Sequence, residues 1–244
     1  MTAIYLQQKN WLEAEQCLNG QAVIVLPLGA SLKEHGHHLP LNNDQLIADF
    51  LTAEVGKLCD IVVLPTVNYS FYPAFSEYPG SVTLTQNTAA SMIAEICLSI
   101  ANFGPRKFYV LNTGVSTQKA LKQASETISQ LNSEIIFQYT DFKEATEFAA
   151  AGLLEQEGGG HADECETSMM LHIAPDMVLQ ERAIKDFSSS NSGSLTRKKA
   201  LEDRGDRVYS PTGAWGDPTL ATAFKGETIV NRLVDFILGN LKQI

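Results

Sequence analysis

The segment KEHGHHLPLNND, residues 33–44, places three of the chain's five histidines within four positions and closes on an aspartate. A second segment, EGGGHADECETS (157–168), sets His161 beside Asp163, Glu164 and Glu166. Borderline divalent ions such as Zn²⁺ and Mn²⁺ take neutral imidazole and carboxylate together. The donors on offer are His35, Glu34, Asp44, Asp163, Glu164 and Glu166. A plainer reading competes: Asp44 caps a helix, the histidines are polar turn groups, and the acids form a solvated face. His172 follows an apolar run and reads as a core histidine. Cys165, between two acids, is expected to have a raised pKa and to be a poor nucleophile.

Elements that alternate along the chain position these segments. AVIVLPLG (22–29) is a short β-branched run ended by Gly, the pattern of a strand buried on both faces. CDIVVLPTV (59–67), KFYVLNTG (107–114) and EIIFQYT (134–140) read as further strands. Helical spacing follows Asp44, recurs from Thr85 to Asn102 and from Thr117 to Asn132, and returns over 227–241. Strict alternation predicts an α/β fold of three layers, a mostly parallel sheet with helices on both faces. Ligands in such sheets bind beyond the carboxyl ends of the strands. Segments 29–44, 68–81 and 112–117 each follow a strand, so folding brings them to one rim. The reading is one domain over residues 1–244, with an extended polar loop at 186–218.

Composition narrows the function. A formal charge of −10 excludes a phosphate-backbone partner as the first expectation. No run approaches a membrane span of about 18 apolar residues, and the start lacks a signal-peptide pattern. Four scattered cysteines without a C-x-x-C pair suggest reduced thiols and a cytoplasmic protein. Tyr69, Phe71, Tyr72, Phe75 and Tyr78 make an aromatic-rich loop, read as a pocket wall or a subunit contact.

VLPLGASLKEHGHHLPLNND (25–44) resembles the first motif of the creatininase (creatinine amidohydrolase) family, and GGGHADECETSMML (158–171) resembles its H-A-G-E-x-E-T-S segment. FSEYPGSVTL (75–84) and GAWGDPTLATAFKG (213–226) are similar to two further family motifs, in the family's order. The resemblance implies a parallel α/β sheet, oligomers that are often hexamers, and water activated by metal to attack a C–N bond of a small amide. His35 and Asp44 fall on metal-ligand positions, and Glu166 and Glu164 on two acids of which either could bind; Glu166 is taken as the ligand and Glu164 as a catalytic acid, with Glu34 as an adjusting carboxylate. His161 falls on a histidine near the substrate, in the place of a proton shuttle.

Two positions depart from the family. Lys33 stands where the family has a ligand glutamate, and Gly114 where it has a ligand histidine. The expectation is therefore one divalent ion per chain (Zn, Mn or Fe), with Lys33 stabilising a developing oxyanion. His38, Asn112, Ser116, Tyr78, Trp215 and Asp217 are the candidates to contact the small-molecule substrate. The alternative is a member that has lost catalysis and serves as a binding protein or oligomeric scaffold.

Overall fold

A computed structural model describes residues 3–19, 21–187 and 210–244. Its sheet has five strands, β1 (Ile4–Tyr5), β2 (Val23–Leu28), β3 (Val62–Val63), β4 (Lys107–Asn112) and β5 (Ile136–Tyr139), in the order β1-β3-β2-β4-β5. Every neighbouring pair is parallel. The helices are α1 (Trp11–Cys17), α2 (Asn43–Leu58), α3 (Gln86–Ala101), α4 (Gln118–Leu131), α5 (Phe142–Ala150), α6 (Glu164–Ile173) and α7 (Ala223–Leu241).

Alternate residues of each central strand feed opposite cores. Ile24, Leu26, Leu28, Phe108 and Val110 pack with α3 and α4. Val25, Tyr109 and Leu111 pack with α2, α5, α6 and α7 on the other face. This is the three-layer arrangement expected, because a strand covered on both sides is apolar at every position. From β2 the chain crosses to β3 and then back to β4 on the opposite side of β2. The reversal opens a crevice at the carboxyl ends of β2 and β4.

Several boundaries shift for identifiable reasons. The expected strand over 59–67 shrinks to Val62–Val63. Pro65 has no N–H to give to a ladder, and pairing resumes as one bridge between Leu28 and Val67. Helix α7 starts at Ala223 rather than 227 because the Thr222 hydroxyl accepts from Lys225 N. Helices α1, α5 and α6 and strand β1 were not expected. Of the polar loop expected at 186–218, residues 188–209 lie outside the described residues. No helix among the described residues is long and apolar enough to cross a membrane.

Candidate active site

Strand β2 ends at Leu28, and Gly29 lets the chain pass against the start of α2; a Cβ there would overlap the backbone of Asp44. The loop closes on itself where Lys33 N donates to Leu41 O at 3.0 Å. Inside it, His35 Nδ1 lies 2.8 Å from Lys33 O, and His35 Nε2 lies 2.7 Å from Asp44 Oδ1. Lys33 Nζ stands 2.6 Å from Asp44 Oδ2, an ion pair without the angle of a hydrogen bond. Lys33, His35 and Asp44 are all buried. Asp44 is not the helix cap the sequence suggested: Asn42 holds that place, and the Asp44 carboxylate goes to Lys33 and His35.

The second segment arrives from the other side. Asp163 caps α6 by accepting from Cys165 N and Glu166 N. Ala162 takes a left-handed conformation, φ 47°, and its N–H donates to Glu166 Oε2. His161 exchanges two backbone hydrogen bonds with Trp215, of 3.3 and 2.8 Å, which fixes the imidazole's position. The His161 ring lies 4.9 Å, centroid to centroid, from that of His35. Its Nε2 is 3.1 Å from Glu34 Oε2, and its Nδ1 is 3.8 Å from Glu166 Oε2. Gly213, at φ 75°, makes room for Glu34, whose carboxylate would overlap any Cβ at that position. His38 Nε2 meets the Thr167 hydroxyl at 2.8 Å, tying the first loop to α6.

Other sequence candidates have structural tasks. Glu164 is buried and turned away, accepting from Glu155 N, Gln156 N and the Lys225 ammonium. Asn112 clamps the turn after β4 through the backbone of Gly114 and the Thr117 hydroxyl, and Ser116 sits half-buried in that turn. The Tyr78 hydroxyl donates to Ser210 O at 2.7 Å. Asp217 caps Thr219 and pairs with Lys185 at 3.3 Å. Trp215 acts through its backbone, with its ring against Gly160. His172 is half-buried, edge-on to Phe50.

Sequence reasoning left Tyr72 among five loop aromatics read as a pocket wall or subunit contact, and missed Thr167. Tyr72 is buried beneath Lys33 with no hydrogen-bond partner on its hydroxyl, while Tyr69 of the same aromatic loop is exposed. Thr167 holds His38. A crowd of aromatic residues was the one signal for Tyr72, and it did not distinguish inside from outside.

Charge within the site is uneven. Burial alone would raise the Asp44 carboxyl, but Lys33 and then His35 outweigh it and hold the group below the usual range. Glu166 keeps 13% of its side chain exposed. Burial nevertheless pushes its carboxyl up to about 7, against the pull of His161 and Lys33. Burial, then the neighbouring His35, lowers His38 to about 4. Cys165 is raised chiefly by burial, with the adjacent acids adding to it.

Do these residues suit a metal ion? A carbonyl accepts only, so Lys33 O requires the proton of His35 on Nδ1. The Nε2 lone pair then faces Asp44 Oδ1, and two acceptors that close need a shared cation, a second ring proton or a metal. An imidazole oriented through Nδ1 by a backbone carbonyl is the usual arrangement around a metal. Ligand atoms of His35, His161 and Glu166 also lie within 4.8 Å of one another. The donor set therefore fits one divalent ion. Lys33 is within the set expected at this centre, and so is Glu34, though its carboxylate faces His161 instead of Asp44.

A family model described as creatininase, creatinine amidohydrolase, matches residues 7–240. The mycofactocin precursor peptide peptidase of Mycobacterium ulcerans (strain Agy99) is 30% identical over 222 residues, covering 87% of this chain and 81% of that protein. The creatinine amidohydrolase of Pseudomonas putida is 25% identical over 201 residues, covering 75% of this chain and 76% of its own. A crystal structure of creatinine amidohydrolase superposes with a TM-score of 0.84 at 21% identity, over 100% of this chain and 98% of that one. A manganese form of creatininase gives 0.83 at 20%, over 99% and 98%. With the sheet, the histidine loop and a family match across nearly its whole length in agreement, the chain belongs to the creatininase family and is an amidohydrolase of that family.

Proposed function

We propose that this protein hydrolyses an amide, cyclic amide or formamide C–N bond of a small molecule, using one divalent ion held by His35, Asp44 and Glu166. The observation that carries the reading is the His35 imidazole, oriented by Lys33 O so that Nε2 faces a buried carboxylate 2.7 Å away. Such an ion supplies Lewis acidity, bringing the pKa of a water toward about 7 and polarising a carbonyl. The chain's own residues do the rest. Lys33 keeps Asp44 ionised and aimed, and its ammonium favours negative charge developing on a substrate oxygen. His161, between Glu34 and Glu166, carries a proton to the leaving nitrogen. Glu166, with its carboxyl near neutrality, is suited to exchange that proton. His38 and Thr167 keep the two segments in register.

The relatives' names point to two kinds of amide, a precursor peptide and creatinine. Both contain the bond this site is proposed to open, so the substrate panel includes cyclic amides, formamides and short peptides. Self-association belongs to the same reading, supported by exposed rings at Trp11, Phe103 and Phe224. The test is elemental analysis of purified protein with the panel assay alongside. About one divalent ion per chain is expected, with hydrolysis of at least one amide and loss of both in His35→Ala. Purified protein without an ion, and without a thermal shift on adding Zn²⁺ or Mn²⁺, refutes the reading.

A further inference from the structure

We infer that the Lys33 ammonium is the fixed occupant of a second cation position on Asp44, so that the chain accepts a single exchangeable ion. The inference rests on the one-ion reading above. Asp44 is fully buried and offers one oxygen to each side: Oδ1 meets His35 Nε2 at 2.7 Å and Oδ2 meets Lys33 Nζ at 2.6 Å. A carboxylate shared in this way has a cation-facing site at each oxygen. One is lined by a metal-type imidazole and the other is already filled by a cation that cannot leave.

Lys33 is held in that place by its own backbone. Its N–H donates to Leu41 O at 3.0 Å, and its carbonyl accepts from His35 Nδ1 at 2.8 Å. The residue thus sets the His35 tautomer with its main chain and neutralises Asp44 with its side chain. On the far side the Tyr72 ring approaches the ammonium, 5.8 Å from nitrogen to centroid. Tyr72 Cε1 also stands 3.6 Å from where a Cβ on Gly114 would lie. Gly114 of the turn after β4 therefore brings no side-chain ligand to this position, and the loop after β3 brings the Tyr72 ring. A divalent ion entering beside Lys33 would meet a positive charge in surroundings that screen it poorly.

Manganese titration, read by calorimetry and elemental analysis, tests the inference independently of turnover. Wild type is expected to saturate at one Mn²⁺ per chain. Lys33→Met, which removes the positive charge and keeps the stem, is expected to bind Mn²⁺ at least tenfold tighter. The double variant Lys33→Glu with Gly114→His is expected to saturate at two and to gain thermal stability on adding Mn²⁺. Gly114 is not among the glycines with positive φ, and its Cβ would stand 3.3 Å from the Thr117 side chain, which has to give way by a few tenths of an ångström to admit the second substitution. Two ions in wild type overturn the inference and leave the metal reading intact. Unchanged or weaker binding by Lys33→Met with a native melting curve overturns it as well, and decides the matter should the double variant fail to fold. Absence of any ion in wild type overturns the metal reading itself, and this inference with it.

Discussion

Residues 33–44 and residues 157–168 each bring an imidazole and carboxylates to one centre, but they settle their charge differently. The first stretch carries its own cation: Lys33 and His35 surround Asp44, and its carboxyl is held low. The second places His161 between Glu34 and Glu166, and burial lifts Glu166 to about 7 against the pull of His161 and Lys33. A compensated triplet fixes geometry before any ligand arrives. A carboxylate near neutral pKa is instead able to exchange a proton during turnover. The site thus has a rigid half and a proton-exchanging half.

The comparison breaks most readily at Asp44. Asp44→Asn removes the carboxylate partner of a buried lysine, for which about 3–5 kcal/mol of stability is expected to be lost, together with the bound ion. Denaturant midpoints measure this, and a loss below about 1 kcal/mol would mean that the first half is not held by charge. His38, which ties the halves together, gives a pH signature of similar size. Its folded pKa of about 4 lies below the ordinary histidine value of 6.5, so the folded protein favours the neutral ring. That contribution is complete above pH 6.5 and is lost as pH falls toward 4, on the order of 3 kcal/mol in all. In His38→Gln the slope across this window is expected to flatten in melts taken at half-unit pH steps.

Two glutamates sharpen the contrast further. Glu164→Gln weakens the buried contact with Lys225, with an expected cost of about 1–3 kcal/mol and unchanged ion content. Glu166→Gln is expected to do the reverse, changing stability by under about 1 kcal/mol while weakening ion affinity by about tenfold or more. Paired melts and metal titrations separate the two, and a swap of these outcomes would place the site's carboxylate at 164.

The central frame was legible in sequence because β2 and β4 are uninterrupted apolar runs, and such runs are buried strands in an alternating chain. Convergence of the histidine loop with the loops at 68–81 and 112–117 followed from strand ends sharing one rim, whereas residues 157–168 follow α5. Orientation was harder to read. The segment around Glu164 and Glu166 reads as loop, yet Asp163 caps a helix there. On a helix, residues two apart point to opposite sides, which is why one glutamate reaches the centre and the other meets Lys225. Lys33 and Glu34, adjacent in the chain, meet Asp44 and His161 respectively, in a loop that turns at Gly36, φ 72°. Local spacing carries no trace of that turn's direction. The competing reading of Asp44 as a helix cap failed because its carboxylate is taken up by a buried lysine, a stronger partner than a backbone N–H.

One detail of the rim bears on how such a chain can change over time. Asp186 and Gly216 exchange two backbone hydrogen bonds, of 3.0 and 2.8 Å, while the Ser210 and Thr212 hydroxyls both reach Asp186 Oδ2, at 2.6 and 2.7 Å. Residue 186 and residues 210–216 are thereby tied side by side. Trp215, the neighbour of Gly216, pairs in turn with His161, so a change at Asp186 or Gly216 is expected to reach the imidazole through the backbone and to be tolerated only at the site's expense.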